Sequence, residues 1–301
     1  MVGTRASAAM IALACCVATF AAAQTPPRTQ LPTYAPPPIT AHQARLLRTY
    51  AAPEARQGVA VDGRYFYAVV NTVIAKYDKA SGERLARWAG PRGGLVSHLN
   101  ACLAEGDALW CANSNFPETP MASSIEVFNA GDLSHRSSHS LGILDEGSLT
   151  FFDRYRDGWM AGFAHYDDVG GLAFKGAAFA GVVLYDAQWR RLGGYAFPKS
   201  VLAAMAPHAA SGGAFGPDGL LYVFGHSKPE MYVLAKPVMG PTLIHVATIA
   251  IDARGQAFDW DETQTRVLFA IDRPTGTVRS FEIPEIKLDH SPDARRFLEP
   301  K

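Results

Sequence analysis

An all-β, five-bladed β-propeller is the architecture this 301-residue chain predicts, and three observations predict it. The first is one hairpin written five times: GVAVDGRYFYAVVN from Gly58, NACLAEGDALWCAN from Asn100, RDGWMAGFAH from Arg156, GPDGLLYVFGH from Gly216 and DETQTRVLFAID from Asp261. The second is a fixed count: seven positions after the turn residues Gly106, Gly158, Gly219 and Thr265 comes a polar residue, at Asn113, His165, His226 and Asp272, with Asn71 one step late after Gly63. The third is spacing. Each hairpin is followed by two further strand-like stretches, so units of four strands recur at roughly 42 to 61 residues, a propeller period with insertions.

In chain order, Arg5, the apolar run from Ala9 to Phe20 and Ala21-Ala22-Ala23 have the charged, apolar and small-residue order of a secretory signal peptide, residues 1–23. The run is too short to span a bilayer. The proline-rich stretch TPPRTQLPTYAPPPIT reads as an extended tether, residues 24–41. Residues 42–290 form the propeller, long enough to bury a sizeable core, and 291–301 a C-terminal tail. With 28 basic and 28 acidic residues and no basic block, nothing points to nucleic acid or to an anionic membrane surface.

The third and fourth strands of the units are carried by VIAKYDKASGERLARWA, SIEVFNAGDLSHRSSHSLG, GVVLYDAQWRRLGGYAF and EMYVLAKPVMGPTLIHVATIAI, where β-branched and aromatic residues alternate with polar ones between turn clusters. PKSVLAAMAPH reads as a short helix in a loop. The last unit has a third strand, TGTVRSFEI, but no good fourth; RLLRTYAA from Arg45 supplies it and closes the ring, removing an exposed sheet edge. Six blades is the alternative and requires splitting the segment between Ser148 and Gly216. A turn at Gly106-Asp107 sets Cys102 opposite Cys111, which gives either a cross-strand disulfide in an oxidising compartment or two small buried hydrophobes.

In such a ring the loops entering the inner strands and those leaving the second strands share one face, around the channel mouth. The leaving positions are Asn71, Asn113, His165 with Tyr166, His226, and Asp272 with Arg273; the entering positions are Gln57, His98 and Asn100, Glu146 and Ser148, His208, and Arg254 with Gln256. Polar groups near a propeller axis also serve simply to satisfy buried backbone and hold water. As a site, the set assigns acid/base work to His165 and His226 with Glu146 or Asp272 as acidic partner. Substrate binding falls to Gln57, Asn71, Asn100, Asn113, His208, Arg254, Gln256 and Arg273. His98, His165 and His226 form a candidate set for one divalent transition metal, whereas calcium would prefer the oxygens of Glu146, Asp272 and Asn113. Two long loops, Asn113 to Phe128 and the excursion from His165, are placed to wall one side of the mouth. No GxSxG elbow and no glycine-rich phosphate loop is present. The tryptophans fall inside strands and read as packing between blades.

The DG and PDG turns followed by LYV-like strands resemble the secreted bacterial β-propeller superfamily, with its lactonase-like and sugar-active branches. SHLNACL, SNFP, GFAHYDD and SGGAFGPDGLLYVFGH are similar to one bacterial group within it. The resemblance covers nearly the whole chain after the signal peptide and implies architecture, not an activity. Together these readings set the expectation: an exported, periplasmic or secreted monomeric hydrolase or lyase acting on a small polar carbohydrate or lactone-like substrate. The alternative is a non-catalytic propeller that binds a ligand or a protein.

Overall fold

The computed structural model describes Gly3, residues 36–289 and Leu298. Apart from Gly3, the signal-peptide stretch 1–23 lies outside the described residues, as do tether residues 24–35 and all of the tail but Leu298.

Five sheets form the ring. The first blade comprises Gly58–Val61, Tyr65–Val70, Val73–Asp78 and Arg84–Ala89. The second comprises His98–Glu105, Ala108–Ser114, Ala122–Asn129 and His135–Ile143. The third is built from Ser148–Tyr155, Gly158–Ala164, Gly181–Tyr185 and Arg191–Ala196, the fourth from Gly212–Phe215, Leu221–Phe224, Glu230–Ala235 and Ile244–Ala250. Phe258–Trp260, Val267–Asp272 and Thr277–Glu282 begin the fifth, and Arg45–Ala51 completes it, antiparallel to Thr277–Glu282. The innermost strands of successive blades touch in cyclic order, the fifth against the first. The ring is therefore closed, with five blades. The segment between Ser148 and Gly216 holds the third blade, the helix Lys199–Met205 and the first strand of the fourth blade.

Thr40 and Ala41, read from sequence as the end of the tether, already belong to a strand. Thr40–Gln43 lies parallel to Ile244–Ala250 and widens the fourth blade to five strands.

Each apolar face of a blade is buried against the next blade, so the core is divided among the five interfaces. Tyr67 and Ile74 meet Leu99 and Phe128 between the first and second blades. Ile125 meets Phe152 and Trp159 between the second and third. Phe151 meets Val223 and Tyr232 at the next interface, Phe224 meets Phe258 and Leu268 at the one after, and Tyr50 and Phe269 meet Phe66 where the ring closes. Phe151 shows how tight this packing is: a Cβ on Gly162 or on Gly213 would fall 2.0 Å or 2.6 Å from its ring, so both neighbours must be glycine. The tryptophans sit in these interfaces; Trp159 stacks on Trp189 at 4.6 Å and Trp88 meets Phe128 edge-on at 4.8 Å.

Gly106 turns the second hairpin at φ +61°, a conformation glycine adopts without strain. That turn pairs Cys102 with Cys111, and the two form a disulfide.

Candidate ligand-binding site at the channel mouth

A cavity of about 250 Å³ opens at the end of the ring where the inner strands begin. The inner strands or the loops leading to them contribute Gln57, His98, Asn100, Ser148, Thr150, His208 and Gln256; the segments after second strands contribute Phe116, Tyr166, Val169, His226 and Arg273. Ala164 completes the lining, which contains one guanidinium and no carboxylate.

Arg273 defines the electrostatics. Its Nη1 lies 2.6 Å from His226 Nε2. A guanidinium can only donate, so His226 Nε2 accepts, its Nδ1 carries the proton, and Nδ1–H reaches Ser227 Oγ at 3.1 Å. His226 is thus held neutral. Burial, with His208 and Arg273 nearby, pushes its pKa down to about 4. His98 is pushed down to about 4 by burial and then by Arg273. The rings of His208 and His226 stack at 4.1 Å, and Tyr166 stands edge-on to His208 at 4.8 Å. Phe116 from the second blade's long loop packs on Tyr166 at 5.5 Å and on His98 at 5.1 Å. The two long loops therefore form one aromatic wall, as their position in the sequence suggested. Asp168 lies 3.6 Å from His208 Nε2 at the exposed rim.

Of the residues singled out from sequence, the cavity gathers Gln57, His98, Asn100, Ser148, Tyr166, His208, His226, Gln256 and Arg273. The others stand behind it, and hydrogen bonding explains why. Asn113 Oδ1 accepts from the backbone N–H groups of Ser97 and His98, at 3.1 Å each. Asp272 Oδ1 accepts from Arg254 N–H at 2.9 Å, and its other oxygen faces Arg279 at 3.1 Å and Thr275. His165, 1% exposed, donates from Nε2 to the Asp145 carbonyl at 3.3 Å, and burial lowers its pKa. Asn71 Oδ1 accepts from Gln57 Nε2 at 3.1 Å. In each case the residue at the tip of a second strand clasps the loop or strand start entering its own blade. These positions repeat because the clasp repeats.

Glu146 accepts from Arg191 Nε at 2.7 Å on the outer side of its blade, and Arg254 is exposed, outside the cavity lining. The acid/base set His165, His226, Glu146 and Asp272 is therefore dispersed, with His226 alone in the cavity. The histidine metal set is likewise divided: His98 and His226 share the cavity, His165 does not, and among the described residues no group of three His, Cys, Asp or Glu side chains is placed to hold a metal ion. The oxygens of Glu146, Asp272 and Asn113 are engaged as described above. Sequence reasoning missed Phe116, Thr150, Ala164 and Val169 as lining residues. The loop length around Phe116 and Val169 was the available signal, whereas Thr150 and Ala164 sit at strand positions that no local pattern distinguishes.

A larger groove of about 930 Å³ lies at the opposite end, bounded by the turns of the third and fourth blades and by residues 285–289. None of the sequence-predicted site residues lines it.

No protein-family model and no curated protein matches the chain. Among solved structures it is similar to the crystal structure of RRP9 WD40 repeats, at 12% identity over 75% of this chain and 79% of that one, with a TM-score of 0.43. It is similar to Kuenenia stuttgartiensis hydrazine synthase at 10% identity, over 75% of this chain and 70% of that one, with a TM-score of 0.43. A third is the β-propeller domain of Myceliophteria thermophila Cps50 (Swd1), at 12% identity over 76% and 84% of the respective chains, with a TM-score of 0.37. Likenesses of this depth concern architecture and say nothing about the channel mouth.

Proposed function

We propose that this chain is a non-catalytic binding propeller that takes a small organic anion, of the carboxylate class, into its channel mouth. One observation carries the reading: the cavity is lined by a single cation, Arg273, and by no acid. Elsewhere in the molecule partly buried arginines meet carboxylates, Arg266 with Asp218 at 3.0 Å and Arg279 with Asp272 at 3.1 Å. Arg273 instead donates to a neutral imidazole, which orients it without cancelling its charge. A guanidinium in such a setting is suited to bidentate recognition of a carboxylate.

The same lining disfavours hydrolase or lyase chemistry of the acid/base kind. His226 accepts from Arg273 through one nitrogen and is turned to Ser227 with the other, and neither Glu146 nor Asp272 reaches the cavity to share a proton with it. The likeness to secreted propellers is then one of architecture. Export fits the Cys102–Cys111 disulfide, which persists in an oxidising compartment.

Calorimetric titration with a panel of small carboxylates tests the proposal. Wild type should bind at least one of them, and Arg273→Ala should weaken that affinity at least about tenfold while leaving the melting temperature within a few degrees. Turnover of any panel member, or affinity indifferent to Arg273, counts against it.

A further inference from the structure

The chemistry of the anion can be narrowed by asking which hydrogen-bonding capacity remains on the cavity wall. Gln57 and Gln256 stand at the start of the inner strands of neighbouring blades and are 6% and 4% exposed. The Oε1 atom of each accepts no hydrogen bond. A turn about the last side-chain bond, where the torsional preference is broad, presents the Gln256 carbonyl to the cavity; Gln57 is held in its orientation by the bond from its Nε2 to Asn71 Oδ1. Ser148 spends its proton on Ser114 Oγ at 2.8 Å and Thr150 spends its own on the Ala210 carbonyl at 2.9 Å. Asn100 directs Nδ2 to the Leu149 carbonyl at 3.3 Å. Ser148, Thr150, Asn100 and Gln256 thus have acceptor capacity left toward the cavity. A buried acceptor without a donor costs about 1–3 kcal/mol, so the matching ligand is one rich in donors.

Charge and size complete the description. No carboxylate lines the cavity to neutralise a buried ammonium group, which disfavours amino acids. Inorganic anions and simple carboxylates carry too few donors. At about 250 Å³ the cavity lies below the range of drug-sized sites and suits a compact monomer.

We infer that the ligand is a polyhydroxylated carboxylate of monosaccharide size, a sugar acid, whose hydroxyl protons are taken by Asn100 and Gln256 and whose carboxylate sits on Arg273. This rests on the anion-binding reading above and specifies it.

The experiment titrates the purified protein with a set of hexuronates and hexonates, with cyclohexanecarboxylate as a ring of similar size lacking hydroxyls, with glucose as the neutral counterpart, and with glutamate. Wild type should bind the best sugar acid about 30-fold more tightly than cyclohexanecarboxylate, equivalent to two net hydrogen bonds, and more tightly than glucose or glutamate. In Gln256→Leu that preference should shrink about fivefold, the loss of one net hydrogen bond. Should the variant fail to fold, the wild-type ranking decides the matter. Equal or tighter binding of cyclohexanecarboxylate, glucose or glutamate overturns the sugar-acid assignment, and in the first case leaves the anion reading standing. Failure of every carboxylate to bind overturns both.

Discussion

The inner strands of the third and fifth blades carry polar residues at two levels of the channel, and the two levels do opposite things. At the mouth stand Thr150 and, just before its strand, Gln256; three residues further along the chain in each blade stand Asp153 and Asp259. Asp153 accepts from Phe215 N–H at 2.6 Å and from Arg154 N–H at 2.7 Å. Asp259 accepts from Val61 N–H at 2.8 Å and from Trp260 N–H at 2.9 Å. Each acid thereby ties its own strand to the first strand of the following blade. Burial pushes Asp153 up to about 6 and raises Asp259 well above the usual carboxylate range. A polar side chain whose bonds are all made within the protein is part of the framework, whereas one with capacity to spare, as at Gln256, is available to a ligand.

The sharpest way to break this contrast is to truncate one residue at each level. Asp259→Ala leaves two buried N–H groups without acceptors and should cost about 3 kcal/mol or more in urea unfolding. Gln256→Ala orphans nothing and should stay within about 1 kcal/mol. Stability losses of similar size at the two levels would abolish the distinction. The disulfide offers a reference of intermediate size: Cys102→Ser with Cys111→Ser removes a short closed loop and should cost about 2–3 kcal/mol in the same assay.

Acidity separates the levels by sign. Asp153 keeps its proton in the folded protein up to about pH 6, whereas the unfolded chain releases it near the ordinary carboxylate value. Its contribution therefore favours folding below about pH 4 and declines by on the order of 2 kcal/mol as pH rises to about 6. His98 and His226 stay neutral in the folded protein down to about 4, while the unfolded chain takes up protons near 6.5, so their contribution is full above that pH and is lost as pH falls. Unfolding free energies between pH 4 and 7 for Asp153→Asn and for the double variant His98→Gln/His226→Gln, each relative to wild type, should slope in opposite directions. Parallel slopes would show that the two levels are electrostatically alike. The smallest effect belongs to Glu146→Gln, which removes a partly exposed ion pair with Arg191 and should alter stability by less than about 1 kcal/mol and carboxylate binding not at all.

The ring was legible in the sequence because a propeller blade is a local object. Its hairpins, its turn glycines, the Cys102–Cys111 register and even the closing strand from Arg45 follow from short-range pattern and the need to cover an edge. The site was legible only by half. Counting from the turns found positions that are structurally equivalent, but equivalence selected for the clasp, so Asn113, His165 and Asp272 turned out to hold entering loops. Gln57, Asn100 and Gln256 were found through the same equivalence and do line the cavity, because residues at the start of an inner strand have the axis on one side. Phe116 and Val169 depend on how two irregular loops fold over each other, which no periodicity encodes.

Thr40–Gln43 and Arg45–Ala51 are separated by Ala44 alone, yet one lies along the fourth blade and the other completes the fifth. Among the described strands, the first to be synthesised are thus the last to be housed, since their partners Ile244–Ala250 and Thr277–Glu282 emerge far later in the chain. Until then the nascent chain carries two unpaired ribbons, and closure must await this longest-range pairing.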